Sequence, residues 1–561
     1  MDPKPLPARP SLAQYKKQAK ELVRDFRAAQ SSKFSVAEIS ITEIFQRIKQ
    51  AHPRFANLPS DEFARVGFAL ADAQFVIARE HGCDSWPKFA KQVAEMETAN
   101  FAASVGDPVT EFIVAASVPR DGWHGSGTLD RAEAILKAHP RVATANVYTA
   151  AILGDAASVR RFLAANSGNA TAKGGPHGWD ALTYLCFSRY LRLERWRTNG
   201  FVAAARALLD AGTSANTGWT EMGHEPEPEW ESVIYGAAGL AQHAELTRLL
   251  LERGADPNDE ETPYHVAETR DNTVLKILVE CGKLNETSLT TILLRKADWH
   301  DFEGMKWLLE HGANPNRATR WGRTAFHHAV LRDNGIDMLG LLLEHGADPM
   351  SIAERPDPRP PVIGPSMTAV GIAVRRGRGD LLELMERRGV RFELKGVERL
   401  VGACAKNDSD GVRAIRESEP ELVRELLAEG GKLLAGFAGV GNTDGVRQLL
   451  ELGVGVNAPF EEGDPYFDVT KGSTALQVAA WRGWPGTVKL LLERGAAVNT
   501  RNAKGRTALT LAVKACVDSY WTERRTPESV EALLKAGATV EGVEWPSGYG
   551  EVDELLRDHG A

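Results

Sequence analysis

The chain has 561 residues, 43% of them hydrophobic and 25% charged, with a net charge of -8. That is an ordinary water-facing composition, and no run approaches the roughly 18 apolar residues that a membrane span needs. The acidic balance repels a phosphate backbone on average, so nucleic-acid binding is disfavoured away from a local basic face.

Length alone suggests three or four domains. Cys83, Cys186, Cys281, Cys404 and Cys516 stand singly and are odd in number. That pattern argues against a disulfide framework and suits a reducing cytosol, where each thiol is a small buried hydrophobe. The opening MDPKPLPARPSLAQYKK has basic residues with no apolar stretch behind them, so a cytoplasmic location without a secretion signal is expected.

Residues 1–100 read as a small helical module. Ser11 is placed to cap a helix whose stripe is Leu12, Tyr15, Ala19, Leu22, Val23 and Phe26. A second helix is expected over 36–50, with Ile39, Ile44, Phe45 and Ile48 inward, and a third over 62–80 through Phe68, Leu70, Phe75 and Val76, ended by Gly82. A fourth follows Asp84 and Ser85, with Pro87 in its first turn and Trp86, Phe89, Val93 and Met96 on one side. Lys16, Lys17, Lys20, Arg24 and Arg27 read either as a face for nucleic acid or an acidic partner, or as a solvated surface.

From Asp107 a repeated unit takes over. The early copies are weak: VTEFIVAASVP, a glycine-rich GWHGSGT, LDRAEAILKAHP, then NVYTAAILGDAASVRRFLAANSG. The segment Lys173–Trp179 is glycine-dense ahead of Tyr184, Phe187 and Tyr190. It is either a turn that lets backbone approach a ligand or the finger of an early repeat. Later copies end in GADPN (254–258), GANPN (312–316), GADPM (346–350), GVGVN (453–457), GAAVN and GATVE. Each terminal glycine follows a Leu-rich helix, where a left-handed residue reverses the chain at a cost of about 1 kcal/mol if replaced.

Thr474 and Thr507 open two clear copies 33 residues apart. Small residues follow at helical spacing, then a turn, a Leu-rich helix and Gly-Ala. Ala-rich faces let two short antiparallel helices approach closely, and no copy can bury a core alone, so copies must stack. Between the units ending at Glu393 and Gly453 a degenerate copy is betrayed by Asp410-Gly411-Val412-Arg413, which recurs as Asp444-Gly445-Val446-Arg447, and the array is degenerate near 394–430. In TPYH (262–265) and TAFH (324–327) the histidine is placed to hydrogen-bond back to the threonine, so His265 and His327 read as structural.

These residues resemble the ankyrin-repeat family over about 105–561. The resemblance implies an all-α, αα-hairpin solenoid with β-turn fingers: about twelve repeats, degenerate near 394–430, closed by a partial capping repeat at 546–561. Residues 1–100 resemble a helical segment that precedes such arrays in bacterial proteins, through Ala71–Phe75, Ala78–Gly82 and Ser85–Lys88. The family resemblance further implies a concave face that binds other proteins.

Catalytic constellations are wanting. There is no HExxH, G-x-S-x-G, CxxC pair or P-loop, and Gly439–Gly445 fits a helix joint better than a phosphate loop. His327, His328 and His311 lack a completing ligand at suitable spacing, so neither metal nor cofactor is expected. The irregular segments carry more information, because finger loops are free of packing duty. They are 217–231 with Trp219 and Trp230; 317–323 with Arg317, Arg320 and Trp321; the Pro-rich 351–366; and 458–470 with Tyr466 and Phe467. Trp, Tyr and Arg dominate binding hot spots, so these seven side chains are the expected partner contacts, unless the loops fold back and bury them.

The expectation is therefore a non-enzymatic, monomeric scaffold for an unknown protein partner. Its rivals are a small-molecule sensor or enzyme at Gly175–Tyr190, and nucleic-acid contact by the basic N-terminal helices.

Overall fold

The structure is a computed structural model that describes residues 3–31, 38–56, 58, 66–120, 122–224, 227–352, 368–519 and 521–560. The Pro-rich 353–366, the starts of the second and third predicted helices and Tyr520 lie outside them. The chain divides into two compact units, Met1–Asp259 and Glu260–Ala561.

The first unit opens with the helices Leu12–Ser31, Glu38–Ala51, Leu70–Glu80 and Trp86–Ser104. Tyr15, Ala19, Leu22 and Phe26 meet Ile48, Phe55, Val76 and Phe89 in one apolar cluster, so the stripe read from the sequence is the buried one. Lys16, Lys17, Lys20, Arg24 and Arg27 are exposed on the opposite side. The third helix begins at Leu70 because Asp72 accepts the Ala69 N–H at 2.8 Å and starts it there. Buried Glu80 takes both arms of Arg47, at 2.5 and 2.9 Å.

Short helix pairs follow, each started by a side-chain cap: Asp107, Asn146, Asp155 and Asp180 accept backbone N–H groups at the helix starts. Asp180 does the work expected of a threonine. Gly174 and Trp179 bridge across a tight turn, and side chains at Gly174 or Gly175 would run into the Tyr148 or Tyr184 hydroxyl. The glycines are thus spent on packing two tyrosines beneath the finger. A two-stranded hairpin, Gly218–Glu221 with Glu229–Ser232, completes this region before Ala244–Glu252.

The second unit stacks inner helices Glu286–Asp298, Ala325–Leu331, Ala369–Arg375, Val397–Ala405, Gly430–Val440, Ala475–Trp481 and Ala508–Asp518, each followed by an outer partner. Thr324, Thr368, Thr474 and Thr507 cap their helices by accepting the N–H three residues on. Gly312 and Gly346 adopt φ of 91° and 80°, the left-handed reversal expected at repeat ends. Over 394–430 an extra helix, Pro420–Ala428, leads directly into Gly430–Val440. The Asn442 amide then donates to the carbonyls of both Gly377 and Ala405 at 2.7 Å.

His327 meets Thr324 at 2.8 Å, whereas His328 turns to Asp298 at 2.8 Å and His311 stacks on Trp307 at 3.8 Å. The three do not converge. Cys83 and Cys281 are only half-buried, unlike the other three cysteines; Cys83 packs at the edge of the N-terminal cluster with its thiol on Gln92, and the Cys281 thiol meets the Leu278 carbonyl.

His265 lies between Glu261, 3.0 Å from Nε2, and Glu268, 3.1 Å from Nδ1. Burial alone would lower its pKa, but the two carboxylates outweigh burial and raise it to about 9. A histidine that holds its proton more tightly when folded stabilises the fold below its ordinary pKa near 6.5, and the contribution disappears as pH rises through about 9. His265→Gln is expected to cost about 1–3 kcal/mol near pH 6 and little near pH 10. Denaturation across that range measures it, and a pH-independent cost would contradict the pairing.

Candidate functional site

Three inner helices of the second unit end in arginine eight residues after the capping threonine: Arg332, Arg376 and Arg482. A cation there suits the negative end of the helix. It also aims three guanidinium groups at one place. Asp333, left-handed at φ 52°, accepts both arms of Arg376 at 2.7 Å and one arm of Arg482 at 2.9 Å. The last bond joins residues 149 apart in sequence. A stack in which each repeat touches only its neighbours makes no such contact, so here the inner face closes on itself.

Burial would push the Asp333 carboxyl up, but Arg376 and Arg482 hold it far below the usual carboxylate range. Arg482 is itself buried, which lowers its pKa against the pull of Asp333. Its guanidinium lies 3.8 Å from the Phe467 ring centre and 4.4 Å from that of Trp521. Arg332 sits 3.4 Å over the Tyr466 ring and reaches Asp298 at 2.5 Å. Burial and the neighbouring Arg482 bring Arg524 down to about 10.

Beside this network is a cavity of about 340 Å³. Ile372, Leu433, Phe460, Phe467, Val469 and Val478 supply its apolar wall, and Arg376 and Arg482 its polar floor. Arg375 and Lys432 also line it; Lys432, 42% exposed, pairs with Glu462 at 3.2 Å, and Arg375 pairs with Glu398 and Glu429 at 2.6 and 2.5 Å. The finger 458–474 forms one side because Pro459–Phe460 pairs antiparallel with Ser473–Thr474. A shaped space of this size with a mainly apolar wall accepts one large apolar side chain or a small apolar molecule.

The seven side chains picked from the finger loops are dispersed. Trp219 is 5% exposed and packs on Trp179 at 5.0 Å, because strand alternation turns it inward, while Trp230 faces out at 44%. Arg317 pairs with Glu286 at 2.6 Å. Arg320 pairs with Glu260 and lies 5.0 Å over Trp321, which tilts against Tyr264 at 5.9 Å. Phe467 is buried in the cavity wall and Tyr466 is 39% exposed under Arg332. Only the last finger reaches the cavity. The arginines that organise it were missed, although their fixed distance from the capping threonine was a readable signal.

Family models describing ankyrin repeats match residues 400–542 ("Ankyrin repeats (3 copies)") and 293–343 ("Ankyrin repeats (many copies)"). No curated protein matches the chain. Among solved structures, the chain is similar to the human ASB11 ankyrin repeat domain, with 22% identity over 49% of this chain and 98% of that one, at a TM-score of 0.21. No helix among the described residues is long and apolar enough to cross a membrane. The matched stretches take in Gly430–Val440, the finger 458–474 and Ala475–Trp481 around the cavity, and over 293–343 and 400–542 the chain is built of ankyrin repeats.

Proposed function

We propose that the protein is a non-enzymatic adaptor that holds a partner protein on the inner face of its second unit, taking an apolar side chain of the partner into the cavity beside Arg376 and Arg482. Ankyrin repeats are generally protein–protein interaction modules. The observation that supports the reading is the apolar cavity itself, walled by Ile372, Phe460 and Val478 and edged by the partly exposed Lys432. Preformed walls cost little ordering on binding, and an anchor buried in a pocket carries a large share of affinity. Exposed Arg317, Arg320 and Tyr466 and half-buried Trp321 are proposed as further contacts of the second unit, with buried Phe467 supporting Tyr466, and exposed Trp230 beside buried Trp219 as a separate contact of the first unit. The wider organisation we infer is a monomeric cytoplasmic chain: a helical module at 1–100 and about twelve repeats from 105 to 561.

Val478→Phe adds bulk to the cavity without changing charge. Once cross-linking from the full chain has identified the partner, this variant is expected to bind it about tenfold or more weakly with thermal stability unchanged or raised. Undiminished affinity would show that the cavity is not the docking point.

A further inference from the structure

We propose that His124, Glu221 and Glu231 in the first unit form a binding site for a divalent transition metal, Zn²⁺ foremost. No metal was expected from the sequence, because His124 sits in the glycine-rich loop after Val118 and the two glutamates lie far downstream on a hairpin. Folding brings one ligand atom of each within 4.8 Å of the others, all three residues being buried.

The hairpin explains how. Gly218–Glu221 and Glu229–Ser232 pair so that Trp219 faces Glu231 across the ladder and Glu221 faces Glu229. Side chains alternate, so Trp219, Glu221 and Glu231 share the inward side, while Thr220 and Trp230 face out. An inward position is where an apolar residue is expected. Glu231 is 1% exposed and Glu221 8%, and burying carboxylates is costly without compensating positive charge.

His124 closes the set. Its Nε2 is 3.3 Å from Glu221 Oε2, and its Nδ1 is 3.9 Å from Glu231 Oε2. Tetrahedral zinc with bonds of about 2.0–2.1 Å spaces its ligands about 3.3–3.4 Å apart, so the Nε2 to Glu221 distance is already that of two ligands on one ion. Nδ1 lies 3.1 Å from the Tyr235 hydroxyl. That contact suits an Nδ1–H donor and leaves Nε2, the atom beside Glu221, as the metal-facing one, the outer-shell arrangement typical of metal-bound histidine; the 3.9 Å approach of Glu231 to Nδ1 places that carboxylate beside the ring and is not itself a ligand-to-ligand spacing. Two carboxylates and a neutral imidazole balance a dication. One nitrogen and two oxygens favour Zn²⁺ or Mn²⁺ over thiophilic ions. The bound ion would tie the loop residues 122–128 to the hairpin.

The test uses the untagged full chain, stripped with chelator and re-equilibrated with Zn²⁺ alone or Co²⁺ alone. The expected result is about one zinc per chain by elemental analysis, a zinc-dependent rise in melting temperature, and tetrahedral ligand-field absorption with Co²⁺. Glu231→Gln and Glu221→Gln should each weaken binding on the order of tenfold to a hundredfold and show a smaller zinc-dependent rise in melting temperature at the same zinc concentration. If either variant fails to fold, the Co²⁺ spectrum of the unaltered chain decides alone. No retained zinc, zinc affinity unchanged in the glutamine variants, absent ligand-field bands, or a thiolate charge-transfer band placing the ion on cysteine would each overturn the proposal.

Discussion

Asp333→Asn is expected to destabilise the second unit by about 3–5 kcal/mol, the usual cost of stranding a buried charge by removing its partner. Arg376 and Arg482 both direct their guanidinium groups at this carboxylate; Arg482 is buried with a side chain only 3% exposed, and Arg376 is largely covered at 17%. Asparagine tolerates the left-handed backbone at 333 as well as aspartate does, so the loss reports charge and not strain. Guanidinium denaturation should show a lower midpoint. A change below about 1 kcal/mol, the range of exposed pairs, would mean that the guanidinium groups are satisfied some other way.

Gly431→Ala is expected to destabilise by about 1–3 kcal/mol, the cost of overpacking. Helix propensity predicts the opposite sign, since Ala is favoured over Gly by about 1 kcal/mol within a helix and Gly431 lies in Gly430–Val440. The Cβ would sit on the Pro459 carbonyl group, and backbone cannot swing aside as a side chain can. Pro459 pairs with Thr474 and Phe460 with Ser473, so relief must move the whole finger and pull Phe460 and Phe467 off the cavity wall. The variant should therefore lose partner affinity together with stability. A stabilised variant would place the finger farther from the helix than 431 and 459 now lie.

The repeat architecture was legible because its signals are local. A capping threonine, a small-residue helix face and a terminal glycine each act within a few residues of one another, so Thr324, Thr474 and Gly312 could be read directly. The N-terminal stripe from Tyr15 to Phe26 was readable for the same reason.

What failed to show in the sequence depends on distance along the chain. Whether Asp333 meets Arg482 is set by the curvature summed over the intervening repeats, including the irregular helices Val397–Ala405 and Pro420–Ala428. No periodicity encodes that sum. Trp219 and Trp230 are similar residues in one acidic loop, and their opposite exposures follow from a strand register that composition does not contain. His265, read as a partner for threonine, has Glu261 at one ring nitrogen and Glu268 at the other, about one helical turn to either side. His124 meets Glu221 and Glu231 only after the hairpin has formed.

The closure of the inner face, on which the cavity depends, is tested most directly by a double-mutant cycle between Asp333 and Arg482, using Asp333→Asn, Arg482→Met and the double variant in denaturant unfolding. If the two side chains meet as the structure has them, the coupling energy is expected to exceed about 1 kcal/mol, within the range for residues sharing a salt-bridge network. Additivity within about 0.3–0.5 kcal/mol, as for well-separated sites, would mean that the repeats carrying them do not touch, and the cavity between them would lose its floor.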